Sequence, residues 1–123
     1  MSKLTVAELL KRKEDVKGRR KSTATLYVDS LSAEIEITEL SPDILGEAME
    51  QSEGNDDYCL LYGVTEPKLL DPELQAAYAP TQPTEVVRMI FRPGEVQAIA
   101  AEILKLSGYG SNAVKVVEAK VKN

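Results

Sequence analysis

Residues 93–106 read PGEVQAIAAEILKL. Val96, Ile99, Ala100, Ile103 and Leu104 fall at i, i+3, i+4, i+7 and i+8, which gathers them on one stripe of an α-helix. Pro93 suits the first helical position, Glu95 sits where the helix dipole favours an anion, and Lys105 and Gly108 mark the end. The spacing predicts a core helix over 93–107, on which the rest of the chain has to pack.

Upstream of it, Thr84 caps a segment 85–91 in which Val86, Met89 and Ile90 share a helical face, although the β-branched residues leave a strand open. Residues 79–84, APTQPT, form a rigid linker with two prolines. Asp71-Pro72-Glu73 places a capping acid, a proline and a first-turn acid in sequence, predicting a short helix through Tyr78. Before that, Tyr58-Cys59-Leu60-Leu61-Tyr62 is a dense apolar cluster closed by Gly63, which favours a short buried helix over a strand. Ser41-Pro42-Asp43 starts another helix, running to about Gln51.

Between residues 23 and 40 the period changes to two. Leu26 and Val28, then Ile35 and Ile37, point one way, and Thr25, Tyr27, Glu34, Glu36 and Thr38 point the other. Asp29-Ser30-Leu31-Ser32 supplies the turn, so the segment predicts a β-hairpin with one wet face, which must pack on helices or on a partner. Thr5 and Glu8 have capping-box spacing, and a short helix from there closes at Gly18. Val114, Val117 and Val121 predict a frayed terminal helix.

The expected fold is α+β and predominantly α-helical, with an N-terminal helix and one β-hairpin packed on a bundle of four or five short helices. It divides into a basic N-terminal helix or arm (1–22), a globular body (23–108, with the hairpin over 23–40 and helices over 41–108) and a C-terminal tail (109–123).

Composition narrows the chemistry. The 123 residues include no His, no Trp and one Cys. Without His or a second Cys, an intramolecular disulfide, the usual zinc, copper and haem ligand sets and the Ser-His-Asp or Cys-His nucleophile pairs cannot be assembled. The motifs GxxxxGK[ST], GxGxxG, CxxC and HExxH are absent from the sequence. Paired acids such as Asp56-Asp57 and Glu34/Glu36 lie in polar segments and read as solvated. Cys59, in an apolar run with no basic neighbour, reads as a structural thiol. The expectation is therefore no catalytic residue, no cofactor and no metal. No apolar stretch approaches the roughly 18–20 residues that cross a bilayer, and the N-terminus lacks a leader pattern, so the chain reads as soluble and intracellular, away from membranes.

The net charge of −5 is unevenly placed, at +5 over residues 1–21 and −10 over the rest. A basic arm on an acidic body suggests an acidic partner or simply a solvated helical terminus, and no aromatic residues interleave with its charges to stack on bases. Tyr58, Tyr62, Tyr78 and Tyr109 are either core rings or interface anchors. Tyr58, Tyr62, Leu74, Tyr78 and Met89 are the candidate partner-binding residues, because the short helices bearing them carry more large apolar side chains than one buried stripe needs.

The order YCLLYGVTEPKLLDPELQAAY, a proline-rich break, then PTEVVRMIFRPGEVQAIAAEILKLSGYG resembles the tail assembly chaperones of long-tailed bacteriophages and defective prophages of Gram-positive hosts. The ends, LTVAELLKRK and VKVVEAKVKN, are similar to that family's ends. The resemblance implies a non-enzymatic protein of the host cytoplasm, absent from the mature virion. Its implied partner is the tape measure protein, which it coats, with the tail tube protein as a second. Many members of that family are also made as a longer product by frameshifting, and the resemblance implies that this chain would correspond to the short form. The rival from another class is a small regulatory protein using the basic arm on nucleic acid. A body at −10 would repel phosphate, and no helix-turn-helix spacing is evident.

Overall fold

The computed structural model describes residues 3–51, 53–110 and 114–119. In chain order its elements are α1 (Val6–Lys11), α2 (Lys13–Lys17), β1 (Thr23–Val28), β2 (Ala33–Thr38), α3 (Pro42–Glu50), α4 (Asn55–Gly63), β3 (Val64–Glu66), α5 (Pro72–Tyr78), α6 (Glu85–Ile90) and α7 (Pro93–Leu106). The fold is α+β and predominantly helical, as the periodicities require.

β1 and β2 pair antiparallel from Thr23↔Thr38 to Val28↔Ala33, and a single 3-10 turn over Asp29–Leu31 with Ser32 in the left-handed region joins them. Val28, Ile35 and Ile37 are buried while Thr25, Tyr27, Glu34 and Glu36 face solvent, so the two-residue alternation translates directly into a dry and a wet face. The sheet has a third strand that the hairpin reading did not contain. β3 pairs antiparallel with β2 at Ile37↔Val64 and Glu36↔Glu66, and the Thr65 hydroxyl donates to the Glu36 carbonyl at 3.3 Å. At three residues it is too short to show a period. Its position is set by α4, which delivers Val64 to the sheet edge and buries it there.

α7 presents Val96, Ile99, Ala100 and Ile103 to the core. Its N-terminus is tied by the Arg92 N–H donating to a Glu95 carboxylate oxygen at 2.8 Å. At its other end Ser107 bridges helix and sheet, its hydroxyl donating to Ile103 O and accepting from the Leu40 N–H, both at 3.0 Å. α4 lies along α7 and supplies Cys59, Leu60 and Leu61 to the same core, which Leu69, Val86, Val87 and Phe91 complete.

Two helix starts behave differently from each other. Asp71 caps α5, its Oδ1 accepting from the N–H groups of Glu73 and Leu74 at 3.0 and 3.1 Å. Ser41 precedes α3 without a side-chain cap bond, and there Pro42 and Asp43 do the work of initiation. Asp71→Ala is accordingly expected to cost about 0.5–2 kcal/mol in chemical denaturation, and Ser41→Ala a few tenths.

The N-terminal helix expected as one piece is broken at Arg12, whose φ of −90° and ψ of 6° end α1 and begin α2. Neither half buries a residue, and the like charges of Lys11, Arg12 and Lys13 crowd the junction, so no packing holds the two in line. The expected helix in the tail does not form among the described residues, since 109–110 and 114–119 are outside any helix. Val121 lies outside the described residues. No helix among the described residues is long and apolar enough to cross a membrane.

Candidate functional site

The five candidate residues fall on three neighbouring helices. α6 touches both α4 and α5, so it stands between the helices that carry Tyr58 and Tyr62 and those that carry Leu74 and Tyr78. Ion pairing fixes α6 to α4, because the Arg88 Nε–H donates to both carboxylate oxygens of Asp57 at 2.8 and 3.0 Å. Asp57 in turn raises the Arg88 pKa through this bond.

On α4, Cys59, Leu60 and Leu61 between the tyrosines face the core, and Tyr58 and Tyr62 lie one turn apart at i, i+4, Tyr58 at the edge of the core and Tyr62 outward. Their ring centroids are 4.9 Å apart with planes inclined at 48°, a favourable tilted pair. The Tyr58 hydroxyl donates to a Glu47 carboxylate oxygen on α3. That bond holds the Tyr58 phenol well above the usual tyrosine range, with burial adding to the rise. The ring is half-buried against the core, as is Leu74 on α5.

The remaining three candidates stand outward. Tyr62 is 38% exposed, Tyr78 42% and Met89 50%. Tyr58 and Leu74 therefore form the seam between core and surface, and Tyr62, Tyr78 and Met89 form the accessible apolar set. Met49 at the end of α3 is 48% exposed and was missed by sequence reasoning. Its signal was available, because Ile44, Leu45 and Ala48 already fill the inward stripe of α3 and Met49 is one residue past it.

Cys59 is buried between the tyrosines, and burial, then the nearby Asp56 carboxylate, push its thiol up to about 11. It is a packing residue. Two consequences share one sign. A group whose folded pKa lies above its unfolded value favours the native state below the unfolded pKa and ceases to do so as pH rises through the folded one. Stability is thus expected to fall as pH climbs from about 9 to 11, with Tyr58 adding to the loss above about 10. Alkylation of native Cys59 at pH 8 is expected to run about a hundredfold slower than that of the urea-unfolded chain, on thiolate fraction alone.

The basic arm meets the body at a cleft of about 650 Å³ where Lys17, Arg19, Arg20 and Lys21 face Glu39. Val6, Leu9, Leu10 and Val16 of the arm remain exposed.

A family model described as phage XkdN-like tail assembly chaperone protein matches residues 47–121. No curated protein and no solved structure matches the chain. The matched segment begins inside α3 and contains α4, β3, α5, α6 and α7, hence all five candidate residues, and leaves out the arm and both strands of the hairpin.

Proposed function

Because the chain belongs to the phage XkdN-like tail assembly chaperone family, we propose that it acts in the host cytoplasm as a non-catalytic holder of the tape measure protein, keeping that long helical client from aggregating while tail tube subunits assemble around it. The observation that carries this reading is a coincidence of position. The segment that identifies the family is also the segment whose helices leave Tyr62, Tyr78 and Met89 at the surface.

The physical fit lies in the side chains. A client presenting many different apolar helix faces is best held by rings with a polar tip and by flexible thioethers, which adapt to varied surfaces at low cost. The core beneath is closed by Leu60, Val86, Val87 and Ile103, all fully buried, so these surface residues can engage a client without opening the fold. A net charge of −5 keeps a chaperone with exposed apolar residues in solution. Tyr58 and Leu74 act in this reading as supports, setting the spacing of α4 and α5 beneath the contact residues.

Coexpression with the tape measure protein of the same phage is the test. The tape measure is expected to move from the insoluble to the soluble fraction and to coelute with the tagged chain. A tape measure that stays insoluble at equal expression of the chaperone contradicts the proposal.

A further inference from the structure

The two edges of the sheet are built differently. β3 ends the sheet with three residues, a register irregularity against β2 and Pro67 directly after it. Each of these features discourages further pairing. β1 has none of them. It is six residues long, regular in register, free of charge, glycine and proline (Thr23-Ala24-Thr25-Leu26-Tyr27-Val28), and no further strand lies alongside it among the described residues.

The direction of its unpaired backbone groups follows from the ladder. The Glu39 N–H donates to Ser22 O at 2.9 Å, so Ser22 faces β2. Alternation then turns the backbone of Ala24, Leu26 and Val28 toward β2 and that of Thr23, Thr25 and Tyr27 toward the open edge. The side chains of Thr23, Thr25 and Tyr27 are exposed, Tyr27 at 61%.

We propose that β1 pairs antiparallel with β1 of a second copy of this chain, about a two-fold axis at Thr25, giving a continuous six-stranded sheet. In this register Thr25 lies opposite Thr25 and Thr23 opposite Tyr27 of the second copy. Both are uncharged cross-strand pairs that favour association, and all three open-edge residues find backbone partners. The same register brings Lys21 of one copy opposite Asp29 of the other, twice over by symmetry. Asp29 stands at a groove of about 330 Å³ between β1 and α7 whose other carboxylates are Glu95 and Glu102, while Lys21 follows Arg19 and Arg20. The basic run Arg19-Arg20-Lys21 at the end of the arm thus comes to the acidic mouth of the neighbour's groove, and a slip of two residues along the strand would lose that match. On the inner face, Ala24 meets Leu26 of the second copy over the groove. The inference is independent of the tape measure reading, because it uses the sheet edge and not the helices that carry the client residues.

The test is the solution mass of the full chain by light scattering at about 100 μM. Wild type is expected at twice the 13.5 kDa chain mass. Thr25→Lys, which sets two ammonium groups against each other at the axis on an exposed position, is expected to be monomeric with an unchanged circular dichroism spectrum. Lys21→Glu and Asp29→Lys are each expected to weaken the dimer at least tenfold, and combining them is expected to restore it. The charge swap lies outside the strand and so decides the register even if Thr25→Lys misfolds. A monomeric wild type, an assembly larger than two, a Thr25→Lys dimer, or a charge swap that fails to restore pairing would each overturn the proposal.

Discussion

Gly63→Ala is expected to destabilise the protein by about 1–3 kcal/mol, several degrees of melting temperature for a domain of this size. A Cβ built on Gly63 would lie 2.5 Å from Ile103 Cδ1, 3.0 Å from Cγ2 and 3.1 Å from Cγ1. Gly63 ends α4, where that helix closes on α7, and Ile103 is fully buried. The contact involves both branches of the isoleucine, so moving Cδ1 alone leaves Cγ1 and Cγ2 tight against the new Cβ. Ile103→Val removes the nearest atom and alone costs about 0.5–1.5 kcal/mol. In the double variant the costs should fall short of their sum, because the valine makes room for the alanine. Additive costs, or a Gly63→Ala protein that melts with wild type, would show that the two helices do not approach as closely as described.

A contrast along one helix is the second large effect. Leu60 and Tyr62 are two residues apart on α4, one with no exposure and the other 38% exposed. Leu60→Ala leaves a cavity between α4 and the core and is expected to cost about 2–5 kcal/mol, enough to remove a large part of the stability of a small domain. Tyr62→Ala gives up the tilted pair with the Tyr58 ring at a partly exposed position, so a smaller loss of about 1 kcal/mol is expected. Urea denaturation of the two variants measures both values. A Tyr62→Ala cost approaching that of Leu60→Ala would make Tyr62 a core residue and remove it from the contact set.

What the sequence disclosed depended on how many residues cooperate in each signal. α7 was legible because five apolar positions repeat over two and a half turns, and the hairpin because nine alternating positions agree on one dry face. The apolar run at 58–62 was rightly read as a buried helix, since Gly63 closes it and its length suits a helix. β3 could not be read, because Val64-Thr65-Glu66 carries one inward residue and its pairing is decided by where α4 ends. The break at Arg12 and the absent helix over 114–119 share one cause. Both segments have helical spacing, but neither buries its apolar face, and spacing without docking does not hold a short helix. Among the candidate residues, type and position were legible while exposure was not. Tyr58 looked equivalent to Tyr62 in sequence, and packing against the core together with the bond to Glu47 on α3 separates the half-buried ring from the outward one.

The central claim is that the exposed residues of α4, α5 and α6 hold the tape measure protein. Its most direct test is coelution of the tape measure with a tagged Tyr62→Ala/Tyr78→Ala/Met89→Ala protein, compared with wild type at equal expression and checked for a cooperative melt. The account predicts that the folded triple variant loses at least nine tenths of the bound tape measure, while Tyr27→Ala on the outer face of the sheet retains it. A folded triple variant that carries as much tape measure as wild type would contradict the account.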